Sequence, residues 1–106
     1  MASMNDRFAS FREATASALL RGPGATPAEL RDAIARGAPP AELAQLVNKI
    51  DSGAYMVSDQ DVDMLRKSYT DDQLFEIIVA AAYGAAEKRL MRARRVLEEA
   101  WNGTTT

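Results

Sequence analysis

The chain has 106 residues, of which 47% are apolar and 26% are charged, and it carries a net charge of −2 without any cysteine or histidine. This length predicts a single domain over residues 1–106, and the apolar content excludes a chain that is disordered by composition. The missing thiols and imidazoles exclude disulfides, thiol redox chemistry and histidine-based catalysis, while the acidic balance disfavours nucleic acid and anionic membranes as partners.

Two helices are predicted in the first third of the chain. Apolar side chains fall three or four residues apart over Ser3–Arg21, which indicates a helix that ends at the breakers Gly22–Gly24. The next helix is predicted to start with Thr26 as its N-cap and Pro27 in its first turn. Gly37 is the predicted terminator of this second helix.

Two shorter helices are predicted in the middle of the chain. One follows Pro40 and ends at Gly53, and its apolar residues have the spacing of one buried face. The segment Ala54–Val57 has strand-like residues but no partner strand, so we expect an extended connection. Another helix is predicted from Ser58 as N-cap to about Lys67, with acidic residues in its first turn.

The fifth predicted helix is the longest and runs over Asp71–Trp101, with Thr70 as its N-cap. Its first half is apolar almost all round, which is typical of a helix buried on most sides. Its second half is basic and amphipathic, and we expect an inward face made of Leu90, Ala93, Val96, Leu97 and Trp101. A flexible tail is predicted from about residue 102.

These elements predict an all-α, compact five-helix domain. No stretch approaches the ~20 apolar residues of a membrane span, and no apolar leader follows a basic start. We therefore predict a cytoplasmic protein that does not bind a membrane, and nothing in the sequence indicates a metal or a cofactor.

The centre of the fifth helix consists almost entirely of alanine and glycine. A glycine inside a helix costs about 1 kcal/mol relative to alanine, so Gly84 predicts a close approach by another element. That element is either another helix of the same chain or a second subunit. For the second case, the predicted interface residues are Ala81, Gly84, Ala85, Lys88 and Arg92.

Five polar residues near the third and fourth helices are the candidates for binding or proton transfer: Lys49, Asp51, Tyr55, Asp59 and Asp61. Their alternative roles are to cap helices and to hold a loop in place. Counted from Asp59, a calcium-binding loop would need glycine and glutamate where Met64 and Thr70 stand, so the sequence does not predict a calcium site.

A helix-turn-helix regulator is a further alternative for residues 58–95, because two capped helices flank a short turn there. The second of these helices opens with Asp71 and Asp72, which would meet DNA phosphates with like charge. We therefore predict no nucleic-acid partner.

The segments Tyr55–Arg66 and Tyr69–Ala82 resemble the C-terminal part of the carboxymuconolactone decarboxylase family, whose fold alkylhydroperoxidase D shares. The likeness covers about residues 55–100. In both, a helix precedes a turn and a long apolar helix. Redox members of that family carry a Cys-x-x-Cys pair and a histidine, which would fall near Ala54, Val57 and Asp61, and this chain has none of the three.

The resemblance implies an alkylhydroperoxidase D-like fold and a symmetric homo-oligomer, a dimer, trimer or hexamer, but it implies no peroxidase activity. We therefore expect a non-redox accessory or assembly protein that binds copies of itself or a larger protein partner, rather than an enzyme. The alternative is a small-molecule binder or non-redox enzyme with a pocket near residues 49–61.

Overall fold

The computed structural model describes residues 4–53 and 56–104, which form an all-helical domain with no strand in either range. The predictions of an all-α chain and of five helices are confirmed. None of the helices in these ranges combines the length and hydropathy that crossing a bilayer requires. The α-helices are α1 (Met4–Ala16, continued by a π-helical turn, Ser17–Arg21), α2 (Ala28–Ala35), α3 (Ala44–Ser52, preceded by a 3₁₀ turn, Ala41–Leu43), α4 (Asp59–Leu65) and α5 (Asp71–Thr104).

Local side-chain caps begin α4 and α5 as predicted. The Ser58 hydroxyl accepts the Asp61 N–H at 3.2 Å, and the Asp61 carboxylate accepts the Ser58 N–H at 2.9 Å. Thr70 and Gln73 make the same reciprocal pair at 3.1 and 2.9 Å. Each pair satisfies two backbone donors that would otherwise lack a partner in the first turn.

The predicted cap of α2 is wrong. Pro27 occupies the N-cap position, and no side chain caps this helix. The Thr26 hydroxyl instead donates to Glu76 of α5 at 2.6 Å. The helix begins one residue later than predicted, so Thr26 lies before the N-cap position, and its hydroxyl makes a tertiary contact instead.

The core lies where α2 and α3 pack against the first half of α5. Ile34, Leu43 and Ile77 are the largest fully buried side chains, one from each of three packed segments. At Gly84 the backbones of α5 and α2 approach so closely that a Cβ would lie 2.4 Å from the Ala35 carbonyl oxygen. The glycine is therefore explained by a helix of the same chain.

The second half of α5 extends away from this core. Its predicted inward residues Val96, Leu97 and Trp101 are 57%, 69% and 71% exposed, Ala93 is also exposed, and only Leu90 is partly buried. That inward-face prediction is wrong for the described residues, because most of these side chains face solvent. The helix also continues through Thr104, beyond the start of the predicted tail.

The domain is consequently elongated rather than compact. Its extents are 56 × 29 × 19 Å, and its radius of gyration is 16.6 Å, against about 13 Å for a compact chain of this length. A helix of 34 residues is about 51 Å long, so α5 alone spans nearly the whole long dimension.

Candidate functional site

Two of the predicted polar candidates form an ion pair between α3 and α4. The Lys49 Nζ donates to both carboxylate oxygens of Asp61, at 2.9 and 2.8 Å. Lys49 and the backbone N–H of Ser58 lower the pKa of Asp61 to about 2. A carboxylate that is already occupied by a lysine and a cap is a weak base, so this pair holds α4 against α3 instead of presenting a proton acceptor.

The other polar candidates do not converge on the same place. The Asp51 carboxylate lies 3.8 Å from the Lys88 ammonium, and the Asp51 carbonyl accepts from Arg89 at 2.6 Å, so this residue ties α3 to α5. Asp59 is exposed in the first turn of α4, and Tyr55 lies outside the described residues.

A small cavity lies beside Asp61. Its volume is about 90 Å³, and its lining includes Glu42, Gln45, Met64 and Leu65. Binding sites for drug-sized molecules are usually about 300–1,000 Å³. This cavity is therefore too small for the predicted small-molecule pocket.

A buried arginine forms a network that the sequence reasoning missed. Arg31 of α2 is 4% exposed and donates to the carbonyls of Leu19, at 2.9 Å, and Gly22. Its Nε has no hydrogen-bond partner but lies 3.8 Å from a carboxylate oxygen of Glu76. Arg31 thus satisfies the end of the π-helical turn and pairs electrostatically with α5.

Glu76 holds the other side of the same loop. Its carboxylate accepts the Ala25 N–H at 2.5 Å, the Thr26 N–H at 3.0 Å and the Thr26 hydroxyl at 2.6 Å. These donors lower its pKa. A Cβ at Gly24 would lie 2.6 Å from this carboxylate, so a larger residue there would displace it. A single glutamate inside an otherwise apolar stretch of α5 was the signal for this contact.

The predicted interface residues fall into two groups. Ala81, Gly84 and Ala85 are buried inside the chain, with Ala81 and Ala85 only 3% and 4% exposed. Packing within one chain accounts for these small residues. Lys88 and Arg92 are exposed, and they line a groove of about 760 Å³ between α2 and α5 together with Arg36, Met91 and Arg95.

An apolar stripe runs along α5 on the face opposite the core. Its members up to Ala100 are spaced three or four residues apart, and Trp101 follows Leu97 by four, so they share one side of the helix. Most are exposed, including Phe75 at 69%, and Val79 and Leu90 are partly buried. The apolar stripe consists of Phe75, Val79, Ala82, Ala86, Leu90, Ala93, Leu97, Ala100 and Trp101.

The chain matches no family model, and neither a curated protein nor a solved structure matches it. Function therefore has to be argued from the chain's own surfaces. Among these, the apolar stripe is the most extensive feature that packing within the described residues does not explain.

Proposed function

We propose that this protein is a non-enzymatic assembly module that works by associating with copies of itself through the apolar stripe of α5. The exposed half of that helix carries the proposal. In this part of the helix, Val96 and Leu97 are 57% and 69% exposed. The resemblance to the carboxymuconolactone decarboxylase family, whose members form symmetric oligomers, points to the same mode of action.

The amount of exposed apolar surface supports this proposal. Phe75 and Trp101 alone expose on the order of 100–170 Å² each, because aromatic side chains carry about 150–250 Å² and these two are roughly 70% exposed. With the other members, the stripe exposes on the order of 500 Å². A continuous patch of this size matches the largest apolar patch of a typical monomer, about 300–600 Å², and such patches are often functional.

The alternative of a pocket near residues 49–61 has less support. Lys49 and Asp61 neutralise each other, and the cavity beside them has a volume of only about 90 Å³. Arg66, which follows α4, is also paired, with Asp63 and Asp71, so it is not a free cation for a DNA phosphate. A self-association role uses the exposed surface that these alternatives leave unexplained.

The test is the mass of the chain in solution, measured by size-exclusion chromatography with multi-angle light scattering. We expect an oligomer whose fraction rises with concentration in the micromolar range. A strictly monomeric chain at about 100 µM, where association constants of even modest strength populate dimers, would contradict the proposal.

A matched pair of variants locates the interface. Leu97→Lys places a charge in the apolar stripe and should return the protein to a monomer without loss of helicity. Glu99→Lys places the same side chain two residues away on the opposite face of α5, and it should leave the mass unchanged. Equal effects of the two substitutions would show that general charge, rather than the stripe, controls association.

A further inference from the structure

We infer that the groove between α2 and α5 is a docking site for an acidic helix of a partner protein. Its volume of about 760 Å³ lies within the usual range of binding sites, about 300–1,000 Å³. The site lies on a different face of α5 from the apolar stripe and takes a different partner, so it goes beyond the proposed function. Its charged lining residues are four cations and one carboxylate, namely Arg36, Lys88, Arg92, Arg95 and Glu87.

The groove continues the seam along which α2 packs on α5. In the first turn of α2, Arg31 contacts Glu76 of α5. At the end of α2, Ala35 lies against Gly84, further along α5. The two helices therefore run side by side in the same direction, and α2 ends level with Gly84, the first residue of α5 that lines the groove. A helix bound in the groove would lie in line with α2.

Three of the cations repeat at helical spacing along α5. Arg92 follows Lys88 by four residues and Arg95 follows Arg92 by three, so the three side chains share one face of the helix. Between Gly84 and Arg95 this face is about 16 Å long, which corresponds to about three turns of a second helix. Carboxylates three or four residues apart on a docked helix would each meet one cation, which is the spacing of anchors in helix-binding grooves.

Two of these cations have no charge partner within residues 4–53 and 56–104. Arg36 and Lys88 face carboxylates of their own chain, at 2.9 and 3.8 Å. Arg92 and Arg95 form no ion pair with any carboxylate in those ranges. A guanidinium group binds a carboxylate through two parallel hydrogen bonds, so the two unpaired arginines are suited to two carboxylates of an incoming helix.

Arg12 of α1 neutralises the one carboxylate among the lining residues. Its Nε lies 3.5 Å from the Glu87 carboxylate, and its Nη1 donates to the Met91 sulfur at 3.5 Å. Glu87 therefore does not compete with an outside carboxylate for the cations of the groove. Met91 is 42% exposed, and its flexible side chain offers the docked helix an apolar surface that adapts in shape.

A second copy of this chain is a poor occupant of the groove. At the start of α4, Asp61 is paired with Lys49. Between α4 and α5, Arg66 pairs with both Asp63 and Asp71. The most acidic segment of the chain therefore has few free carboxylates to offer, and the partner that fits the groove is a different protein.

A nucleic acid also fits the groove poorly. The phosphates of a duplex continue along its whole length, whereas the cations that α5 places in the groove are confined to about 16 Å. The chain as a whole carries a net charge of −2, which repels a long polyanion. A short acidic helix matches both the length of the groove and its local charge.

Fluorescence anisotropy with a synthetic peptide tests the docking site in the full chain. The probe is a fluorescein-labelled, alanine-based peptide of about 15 residues with glutamates three or four residues apart on one face. The control peptide has the same composition and the same helicity by circular dichroism, but its glutamates are distributed around the helix. We expect a dissociation constant on the order of 100 µM for the probe and binding at least about tenfold weaker for the control.

A matched pair of charge reversals locates the site. Arg92→Glu should weaken binding of the probe at least about tenfold, whereas Lys67→Glu, near the other end of α5, should change it less than about twofold. Arg95→Glu is a second variant of the groove and should behave like Arg92→Glu. Unchanged circular dichroism spectra show that the variants keep their fold. Leu97→Lys, on the opposite face of α5, should leave binding of the probe unchanged.

Four outcomes would overturn the inference. Equal binding of the two peptides, or equal losses for Arg92→Glu and Lys67→Glu, would mean that the groove attracts negative charge without selecting a helix. Tighter binding of a short DNA duplex or of polyphosphate, lost in Arg92→Glu, would assign the groove to phosphate. A lower mass by light scattering for Arg92→Glu would assign it to a second copy. Anisotropy that does not change up to about 1 mM chain would show that no acidic helix binds.

The peptide assay also separates the docking site from the proposed function. Binding of the probe does not require association of the chain with itself. A strictly monomeric chain that binds the probe would overturn self-association and support the docking site, whereas an oligomer that ignores the probe would do the reverse.

Discussion

The two ends of α5 show how differently one helix can be used. Residues 74–85 are enclosed by α2 and α3, and their inner face consists of buried Leu74, Ile77, Ala81 and Ala85. Residues 93–103 also have an amphipathic pattern, but all of them except Arg94 are exposed.

This difference shows that hydrophobic periodicity identifies the apolar face of a helix but not the element that packs against that face. A repeat of three or four residues says only that apolar side chains share one side of a helix. Whether that side becomes a core depends on which other helices pack against it, and here the buried side chains of α5 lie between Leu74 and Ala85. The following predictions compare the enclosed and the exposed part of α5 directly.

The largest difference is expected between two aliphatic residues on the same helix. Ile77→Ala should lower the free energy of unfolding by about 2–5 kcal/mol, because it leaves a cavity at a fully buried position. Leu97→Ala should change it by about 0.5 kcal/mol or less in dilute protein. Urea denaturation followed by circular dichroism measures both.

The dependence of these stability losses on protein concentration tests the same comparison further. The effect of Leu97→Ala should grow as concentration rises, since it removes a contact between copies, whereas the effect of Ile77→Ala should stay constant. Equal losses for the two variants in dilute protein would mean that the exposed part of α5 is covered within one chain.

A smaller difference is expected between the two glycines of α5. Gly84→Leu should destabilise the fold by about 1–3 kcal/mol, because its side chain would collide with the backbone of α2 at Ala35. Gly103→Leu is the matched control, since a Cβ there would meet nothing within 4 Å. A thermal midpoint for Gly84→Leu as high as that of the control would show that α2 does not approach α5 so closely.

Two glutamates provide a third comparison. Glu76→Gln replaces an acceptor of three hydrogen bonds by an amide whose NH₂ group faces donors, so the denaturation midpoint should fall clearly. Glu98→Gln weakens only an exposed pair with Arg94 at 3.8 Å, and the change should be about 0.5 kcal/mol or less. A larger loss of stability for Glu98→Gln than for Glu76→Gln would show that the hydrogen bonds of Glu76 to the loop add no stability.

The smallest effect on stability is expected from lowering the pH. The pKa of Asp61 is lowered to about 2 in the folded chain from an ordinary value of 3.8, so the unfolded chain binds more protons between these values. The stability from the Lys49 pair is therefore fully present above about pH 4 and is lost as the pH falls toward 2. Asp61→Asn and Lys49→Met should each be less stable at neutral pH.

The readout is the slope of unfolding free energy against pH. Both variants should show a smaller decline between pH 4 and pH 2 than the wild type does. A decline as steep as that of the wild type in both variants would assign the acid sensitivity to other carboxylates.

Helix boundaries could be predicted from the sequence where local chemistry sets them. Ser58 with Asp61, and Thr70 with Gln73, are reciprocal caps whose partners are three residues apart, and Gly53 follows α3 as expected. Such signals need no knowledge of the tertiary fold.

Contacts between distant residues could not be predicted in this way. Arg31 and Glu76 are 45 positions apart, and the Thr26 hydroxyl also bonds Glu76, 50 positions away, while Pro27 takes the N-cap position of α2. The sequence placed Lys49 and Asp61 among the polar candidates near the third and fourth helices. It did not indicate that their charges neutralise each other. The exposure of Leu97 depends on where other helices end, which no local pattern contains.

The loop before α2 has a consequence for the kinetics of folding. The backbone of residues 22–26 is held by Arg31 and Glu76, two side chains that meet only after α2 has docked on α5. The loop should therefore be ordered late, after the rate-limiting step, so that weakening it accelerates unfolding and hardly changes the rate of folding. The lifetime of the folded chain would then depend on a short loop, while the speed of its formation would depend on the helices.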